Sequence, residues 1–119
     1  QDDKWVEFDY AENGISGLET AVGLIIDKLV KPGVVSWSRM VEVMSLNPAK
    51  ILGVPGGTLA EGSVADVTII DPEQEWSVNP KTFKSKGRNT PYAGWRLAGA
   101  AWATIVGGKI VMRNRELEG

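Results

Sequence analysis

The chain has 119 residues, 43% of them hydrophobic and 24% charged, a composition typical of one globular domain with a sizeable core. It contains no cysteine and no histidine, which excludes disulfides, thiolate or histidine-ligated metal sites and histidine-based catalytic triads from these residues. No apolar run approaches the ~20 residues of a membrane-spanning helix, and no basic-then-apolar leader opens the sequence. We therefore expect a cytoplasmic protein with no membrane partner.

The charges are unevenly distributed along the chain. Residues 1–75 carry thirteen acidic and five basic side chains, whereas residues 76–115 carry eight basic and no acidic ones. Because aromatic residues lie between these bases, a nucleic-acid surface is one interpretation of the basic half. The net charge of −2 favours the other, in which the bases pair with the acidic half or with sequence outside this chain. We expect no nucleic-acid partner.

The first predicted feature is a glycine-opened loop that leads into a helix. Residues 1–15 are polar with scattered aromatics, which predicts no regular structure. In the following segment NGISGLET, residues 13–20, the two glycines allow close approach of the backbone to a ligand. Ser16 precedes Glu19 by three residues, the spacing of a capping box, and so predicts a helix start.

Apolar residues then recur at steps of three and four, which predicts an amphipathic helix over roughly 17–30, ended by Lys-Pro-Gly at 31–33. Ser36 is the expected N-cap of a second helix that ends near Leu46. Its predicted buried stripe comprises Trp37, Met40, Val41 and Met44.

A third short helix is predicted from Asn47 as N-cap, with Pro48 in its first turn and Gly53 as its stop. Beyond Gly53 the period changes from about 3.6 to about 2, which marks the expected architectural boundary.

Three short strands are expected in the second part of the chain. One is predicted at roughly 67–70, and two more lie between 95 and 112, joined by a hairpin turn at Gly107 and Gly108. The stretch 72–94 between them is predicted to be a long irregular connection.

The glycine-rich segment from 53 to 71 lacks the spacing of a phosphate-binding loop. Asp66 is placed to form an Asx turn before the strand. A carboxylate pair of Asp66 and Asp71 for acid–base chemistry is the weaker interpretation, because the two residues flank one strand.

Five motifs in order, NGISGLET, NPAKILG, GTLAEGSVADVTIID, KGRNTPYAGWRLAG and ATIVGGKIV, resemble the C-terminal part of dihydroorotases. The third motif also resembles hydantoinases and allantoinases, whereas the combination of GLET, NPAKILG and RNTPYAGW resembles dihydroorotases more specifically. The resemblance implies an α/β fold: residues 1–53 would form the last helices and substrate-side loop of an amidohydrolase (β/α)8 barrel. Residues 54–119 would form the C-terminal part of a small β-sandwich domain.

The activity implied by the resemblance is that of a zinc hydrolase interconverting N-carbamoyl-L-aspartate and L-dihydroorotate in de novo pyrimidine biosynthesis, with zinc activating a water molecule. The family's metal ligands lie upstream of the matched region. We therefore expect this chain to be a fragment without a metal site, inactive alone, whose partners are the missing N-terminal part of the enzyme, the small-molecule substrate and a second copy in a homo-oligomer. A first residue Gln1 that is not methionine agrees with this expectation.

The resemblance assigns backbone contacts with the dihydroorotate ring to Asn13 and Gly14. Here Glu12 and Asn13 replace a proline and a phenylalanine of the family pattern, which leaves the backbone role open and changes the loop's rigidity. The alternative is a plain loop that leads into a helix. The basic loop from Lys84 to Arg88 is expected to pack against the missing N-terminal strands.

Two alternatives remain open. In the first, the chain is a stand-alone, non-catalytic binding or structural module that presents the apolar stripes of its helices to a partner. Alternatively, it is the corresponding fragment of a hydantoinase or allantoinase.

Overall fold

The computed structural model describes residues 6–11 and 13–118, in which helices come first and a four-stranded antiparallel sheet follows. A 3-10 turn at Phe8–Tyr10 precedes helix α1, Leu18–Ile25, which continues as a π-helical segment over Ile26–Val30. Helix α2, Trp37–Val41, continues through π-helical Glu42–Leu46 into α3, Asn47–Leu52. The strands are β1, Val67–Ser77; β2, Arg96–Val106; β3, Lys109–Arg113; and β4, Glu116–Leu117.

The extent of the first helix is confirmed, but its predicted capping box is wrong. The N-cap is Gly17, with no side-chain cap bond, and the amides of Thr20 and Ala21 donate to the Gly17 carbonyl at 3.1 and 3.0 Å. Glu19 does not reach back to Ser16, because its carboxylate accepts hydrogen bonds from a distant loop instead.

The second helix begins as predicted, with the Ser36 hydroxyl accepting from the amide of Arg39 at 3.1 Å. The predicted break near Leu46 and the Asn47 cap are wrong, because Leu46 is helical with φ −63° and ψ −50°. Pro48 has no backbone N–H and so cannot donate the hydrogen bond that a continuous α-helix requires at that position. The wider π-helical turn lies directly before it. Gly53 ends the helix in the left-handed region at φ 64°, as predicted.

Only part of the predicted stripe on the second helix is buried. Met40 is 3% exposed and Met44 packs against its cluster, whereas Trp37 and Val41 are 44% and 53% exposed. Met40 packs against Ile26 and Val30 of the π-helical segment, whereas the adjacent side of the same stripe, which carries Trp37 and Val41, is largely uncovered in the part of the chain that the structure describes.

The hairpin at Gly107 and Gly108 is confirmed, with φ of 55° and 81° at the two residues. Strand β1 is longer than predicted, because it runs through Pro72 to Ser77 with register shifts on the way. The short strand β4 was not predicted. The irregular connection is correspondingly shorter and includes a 3-10 turn at Pro80–Thr82.

Helix α1 and its π-helical continuation pack on β2 at a point where glycines allow close approach. Gly99 in β2 has φ +107°, and a Cβ there would overlap the side chain of Ile26, which is fully buried. Gly23 in α1 faces Trp76 so closely that a Cβ would lie 2.8 Å from the indole ring. The two glycines let the helix settle onto the sheet.

The β1–β2 ladder is interrupted at the same place. Side chains form hydrogen bonds with the backbone groups that the ladder leaves unpaired there. The amide of Ala98 donates to the Asp27 carboxylate at 3.1 Å, and the Trp76 indole N–H donates to the Gly99 carbonyl at 3.0 Å. Buried backbone groups left without partners are costly. Asp27, from the π-helical segment, and Trp76, from β1, therefore stabilise β2 where the ladder is interrupted.

Among the residues that the structure describes, two apolar clusters form the core. The first joins Ile26, Val30 and Met40 between the helices and β1, and the second joins Val78, Phe83 and Leu97 under the connection after β1.

The chain exposes more surface than a free-standing protein of its mass. Its accessible area is 8740 Å², whereas a 12.9 kDa monomer is expected to expose about 6,300 Å². Large apolar side chains contribute to the excess, including Ile51 at 83%, Leu52 at 72% and Leu59 at 79% exposed. Within residues 6–11 and 13–118, no helix is both long and apolar enough to cross a bilayer.

Candidate functional site

The predicted substrate-side loop lies on the surface ahead of α1. Asn13 and Gly14 are both exposed, and Gly14 has φ +82°, a conformation that favours glycine over any residue with a Cβ. A Cβ at Gly14 would meet no atom within 4 Å, so its glycine is required by backbone conformation and not by crowding.

A single residue of the connection after β1 holds this loop on both sides of Ile15. The side-chain amide of Asn89 donates to the Gly14 carbonyl at 3.0 Å, and the Asn89 carbonyl accepts from the Ser16 amide at 2.6 Å. Sequence reasoning missed this contact, because 75 positions separate Asn89 from Gly14.

Glu19 forms the second link between the same two segments. Its carboxylate accepts from the backbone amides of Lys84 and Ser85 at 3.1 and 2.9 Å. Partial burial acts to raise the pKa of Glu19. The hydrogen bonds donated by these amides and the charge of the nearby Arg88 outweigh it and leave the pKa below the ordinary value. The ionised carboxylate therefore stabilises the link.

The 84–89 segment is also constrained internally. The Arg88 guanidinium donates to the carbonyls of Ser85 and Gly87, and a Cβ at Gly87 would overlap the Ser16 hydroxyl. The basic loop was expected to contact strands outside this chain. Within the described residues it packs against the loop that precedes α1.

Two clefts lie beside these segments. One, of about 570 Å³, is lined by Asn79, Pro80, Lys81, Arg88 and Asn89. The other, of about 410 Å³, lies between the start of α1, the sheet and the loop at 84–85.

In the second cleft, the Arg115 guanidinium lies 3.8 Å from the Trp76 ring centroid. Burial lowers the pKa of Arg115, while Glu19 acts to raise it.

Asp66, directly before β1, and Asp71, within β1, have structural roles. Asp66 accepts from the Gly107 amide at 2.7 Å and so fastens the hairpin, in place of the predicted Asx turn. Asp71 accepts from the Glu73 amide at 2.9 Å, two residues later in the chain, as an Asx turn requires. Each carboxylate accepts a hydrogen bond from a backbone amide.

Part of the basic half pairs with acidic side chains. Arg96 lies 3.3 Å from Glu75 across β1 and β2, and Arg113 lies 3.7 Å from Glu118. These exposed pairs contribute little to stability.

The described residues do not fit a zinc ion. The sequence has no histidine or cysteine, and residues 6–11 and 13–118 contain no group of three or more carboxylates close enough to share a metal. A metal in the family's active site would need ligands from other residues.

The profile of the Amidohydrolase family matches residues 6–111, and the chain belongs to that family of hydrolases. It is 53% identical over 115 residues to the dihydroorotase of Pelotomaculum thermopropionicum, covering 97% of this chain and 27% of that enzyme. To the dihydroorotase of Syntrophus aciditrophicus it is 51% identical over 112 residues, covering 94% of this chain and 26% of that enzyme. The resemblance to dihydroorotases is thus confirmed, and the chain spans about a quarter of the length of these relatives.

Solved structures of cyclic amidohydrolases share the fold. The L-hydantoinase from Arthrobacter aurescens superposes with a TM-score of 0.87 at 36% identity, over 92% of this chain and 25% of that one. The D-hydantoinase from Thermus sp. superposes with a TM-score of 0.84 at 29% identity, over 94% of this chain and 25% of that one.

Proposed function

We propose that this chain is the C-terminal portion of a dihydroorotase, an enzyme that interconverts N-carbamoyl-L-aspartate and L-dihydroorotate in pyrimidine biosynthesis in the cytoplasm. The observation that carries the proposal is the 53% identity to a dihydroorotase over 97% of this chain. Residues 1–53 would complete the barrel with its last helices, and residues 54–119 would contribute to the β-sandwich.

The exposed surface supports an origin in a larger protein. The chain exposes roughly 2,400 Å² more than an isolated monomer of its mass, an area comparable to a large protein interface. Exposed apolar residues on α2 and α3 agree with a helix face that the remainder of a barrel would cover. The partners in this proposal are the N-terminal part of the same enzyme, a second enzyme copy and the substrate.

The catalytic contribution of this chain is proposed to be contact with the substrate through the loop before α1. The backbone of Asn13 and Gly14 would meet polar groups of the dihydroorotate ring, and the positive φ of Gly14 gives that loop its path. In the complete enzyme zinc would supply the activated water, held by residues other than those described here. The chain alone is expected to be inactive.

The L-hydantoinase likeness, at a TM-score of 0.87, favours a second candidate in which the same fold cleaves a hydantoin ring. The higher identity to the dihydroorotases favours the first.

A segment exchange tests the proposal. The segment of the Pelotomaculum thermopropionicum dihydroorotase that matches this chain is replaced by this chain, and hydrolysis of dihydroorotate, hydantoin and allantoin is measured on the purified, zinc-loaded chimera. We expect turnover of dihydroorotate and a marked loss of it in a Gly14→Val variant, because valine is strained at φ +82°. A folded chimera that hydrolyses hydantoin or allantoin in preference to dihydroorotate would contradict the proposal.

A further inference from the structure

Asn89 contacts both ends of the short backbone stretch that the proposed function assigns to substrate contact. Its side-chain amide reaches the Gly14 carbonyl, and its own carbonyl receives the Ser16 amide, at 3.0 and 2.6 Å. The peptide units on either side of Ile15 are therefore fixed by one residue from a different part of the fold.

This loop needs such a contact because of its composition. Glycine has the widest accessible range of backbone angles, and Gly14 lies in a region that other residues rarely adopt. Ordering a flexible backbone costs roughly 1–2 kcal/mol for each residue, and a loop already ordered before the ligand arrives spares binding that cost.

The segment that carries Asn89 is itself held in place. The Glu19 carboxylate fastens its beginning through two amides, and Gly87 lies against Ser16 with no room for a Cβ. Asn89 is half-buried, and its neighbour Thr90 is only 4% exposed. The segment behind the loop is thus held by contacts of its own on both sides of Asn89.

We infer that Asn89 is a positioning residue that orders the substrate-side loop through Gly14 before substrate binds. The inference rests on the proposed function for the identity of the ligand. Asn89 itself makes no contact with the reacting atoms in this account. Because the loop would hold the ring equally in the ground state and the transition state, loss of the contact raises KM and leaves kcat nearly unchanged.

The test compares two variants with a matched control in the chimeric enzyme. Asn89→Ala removes the donor to Gly14, and the isosteric Asn89→Asp replaces that donor with an acceptor. Asn79→Ala removes an asparagine from the same connection whose side chain accepts from the Lys81 amide, a local contact outside the loop.

We expect Asn89→Ala to raise KM for dihydroorotate about threefold to tenfold, as the loss of one neutral hydrogen bond implies. The expected change in kcat is less than about twofold. Asn89→Asp should raise KM at least as much, and Asn79→Ala should leave KM within about twofold of the parent. An unchanged KM in Asn89→Asp, or equal effects of Asn79→Ala and Asn89→Ala, would overturn the inference.

Hydrogen exchange provides a readout that does not depend on turnover. In the same chimera, amides of residues 13–17 should exchange about threefold to tenfold faster in Asn89→Ala than in the parent, with α1 beyond Thr20 unaffected. Unchanged exchange across all of residues 13–17 would overturn the inference even if the chimera hydrolyses dihydroorotate, whereas the Ser16 amide by itself does not decide it, because the Asn89 carbonyl that it contacts is kept in Asn89→Ala. If dihydroorotate is not a substrate, the proposed function fails while exchange still decides the role of Asn89.

Discussion

The contact between Gly99 and Ile26 gives the sharpest test of how the helix is seated on the sheet. We consider Gly99→Ala, which adds one methyl group where β2 passes under the helix. Gly99 has φ +107°, and the new Cβ would overlap the side chain of Ile26, which has no exposed surface through which to move away.

Two costs add at this position. A residue with a Cβ at positive φ costs about 1–2 kcal/mol, and overpacking a tightly packed core costs about 1–3 kcal/mol more. The matched control is Gly108→Ala, because Gly108 also has a positive φ of +81° but a Cβ there meets nothing within 4 Å. The packing cost of about 1–3 kcal/mol should therefore separate the two variants.

The assay is thermal unfolding of the chimeric enzyme and the two variants at one scan rate. The Gly99→Ala midpoint is expected about 1–3 °C below that of Gly108→Ala, because the chimera is roughly four times as long as this chain and its unfolding entropy is correspondingly large. Hydrogen exchange in residues 22–30 should rise only in Gly99→Ala, which locates the effect at the contact with the helix. Equal midpoints for the two variants would refute the steric reasoning and leave backbone strain as the whole effect.

Two further predictions concern acid stability and a helix cap. The folded-state pKa values of Glu19 and Asp27 lie below their ordinary values of 4.5 and 3.8, so both ionised carboxylates stabilise the fold fully above those values. This contribution should fall as the pH drops through 4.5 for Glu19 and 3.8 for Asp27, and it should disappear below the lowered folded-state values. Glu19→Gln should therefore flatten the midpoint-against-pH curve below pH 4.5, and an unchanged curve would contradict the role of the hydrogen bonds that its carboxylate accepts. Ser36→Ala should destabilise the fold by about 1 kcal/mol in urea unfolding through loss of the N-cap. The control Ser38→Ala, at an exposed position within the helix, should change stability by less than about 0.5 kcal/mol. Equal losses of stability in the two variants would contradict the role of Ser36 as N-cap.

Local patterns predicted the elements whose residues carry their own signals. The 3.6-residue apolar period predicted the helix that ends at Val30, and Ser36 and Gly53 marked a helix start and a helix end correctly. The Gly107 hairpin followed from turn chemistry in the same way. Each of these signals lies within a few residues of the feature that it predicts.

The errors arose where a contact across the fold replaced a local one. Glu19 has the spacing of a capping box, but the amides at 84–85 compete for its carboxylate. Strand β1 continues through Pro72 because the Asp71–Glu75 irregularity at a sheet edge accommodates a residue without an N–H. No local pattern in the sequence predicts the Glu19 contact or the continuation of β1 through Pro72.

The candidate site divides in the same way. The motif resemblance pointed to Asn13 and Gly14, and their backbone contact with a substrate remains a prediction. The support from Asn89 became visible only in three dimensions, because neither its spacing nor its type distinguishes it from Asn79 in the same connection.

The most direct test of the account is the ratio of kcat/KM for dihydroorotate to that for hydantoin in the chimera carrying this chain. Both substrates are measured on one zinc-loaded preparation, with the parent Pelotomaculum thermopropionicum enzyme as reference. We expect a ratio that favours dihydroorotate, as in the parent. A well-folded chimera whose ratio favours hydantoin would contradict the assignment of this chain to a dihydroorotase.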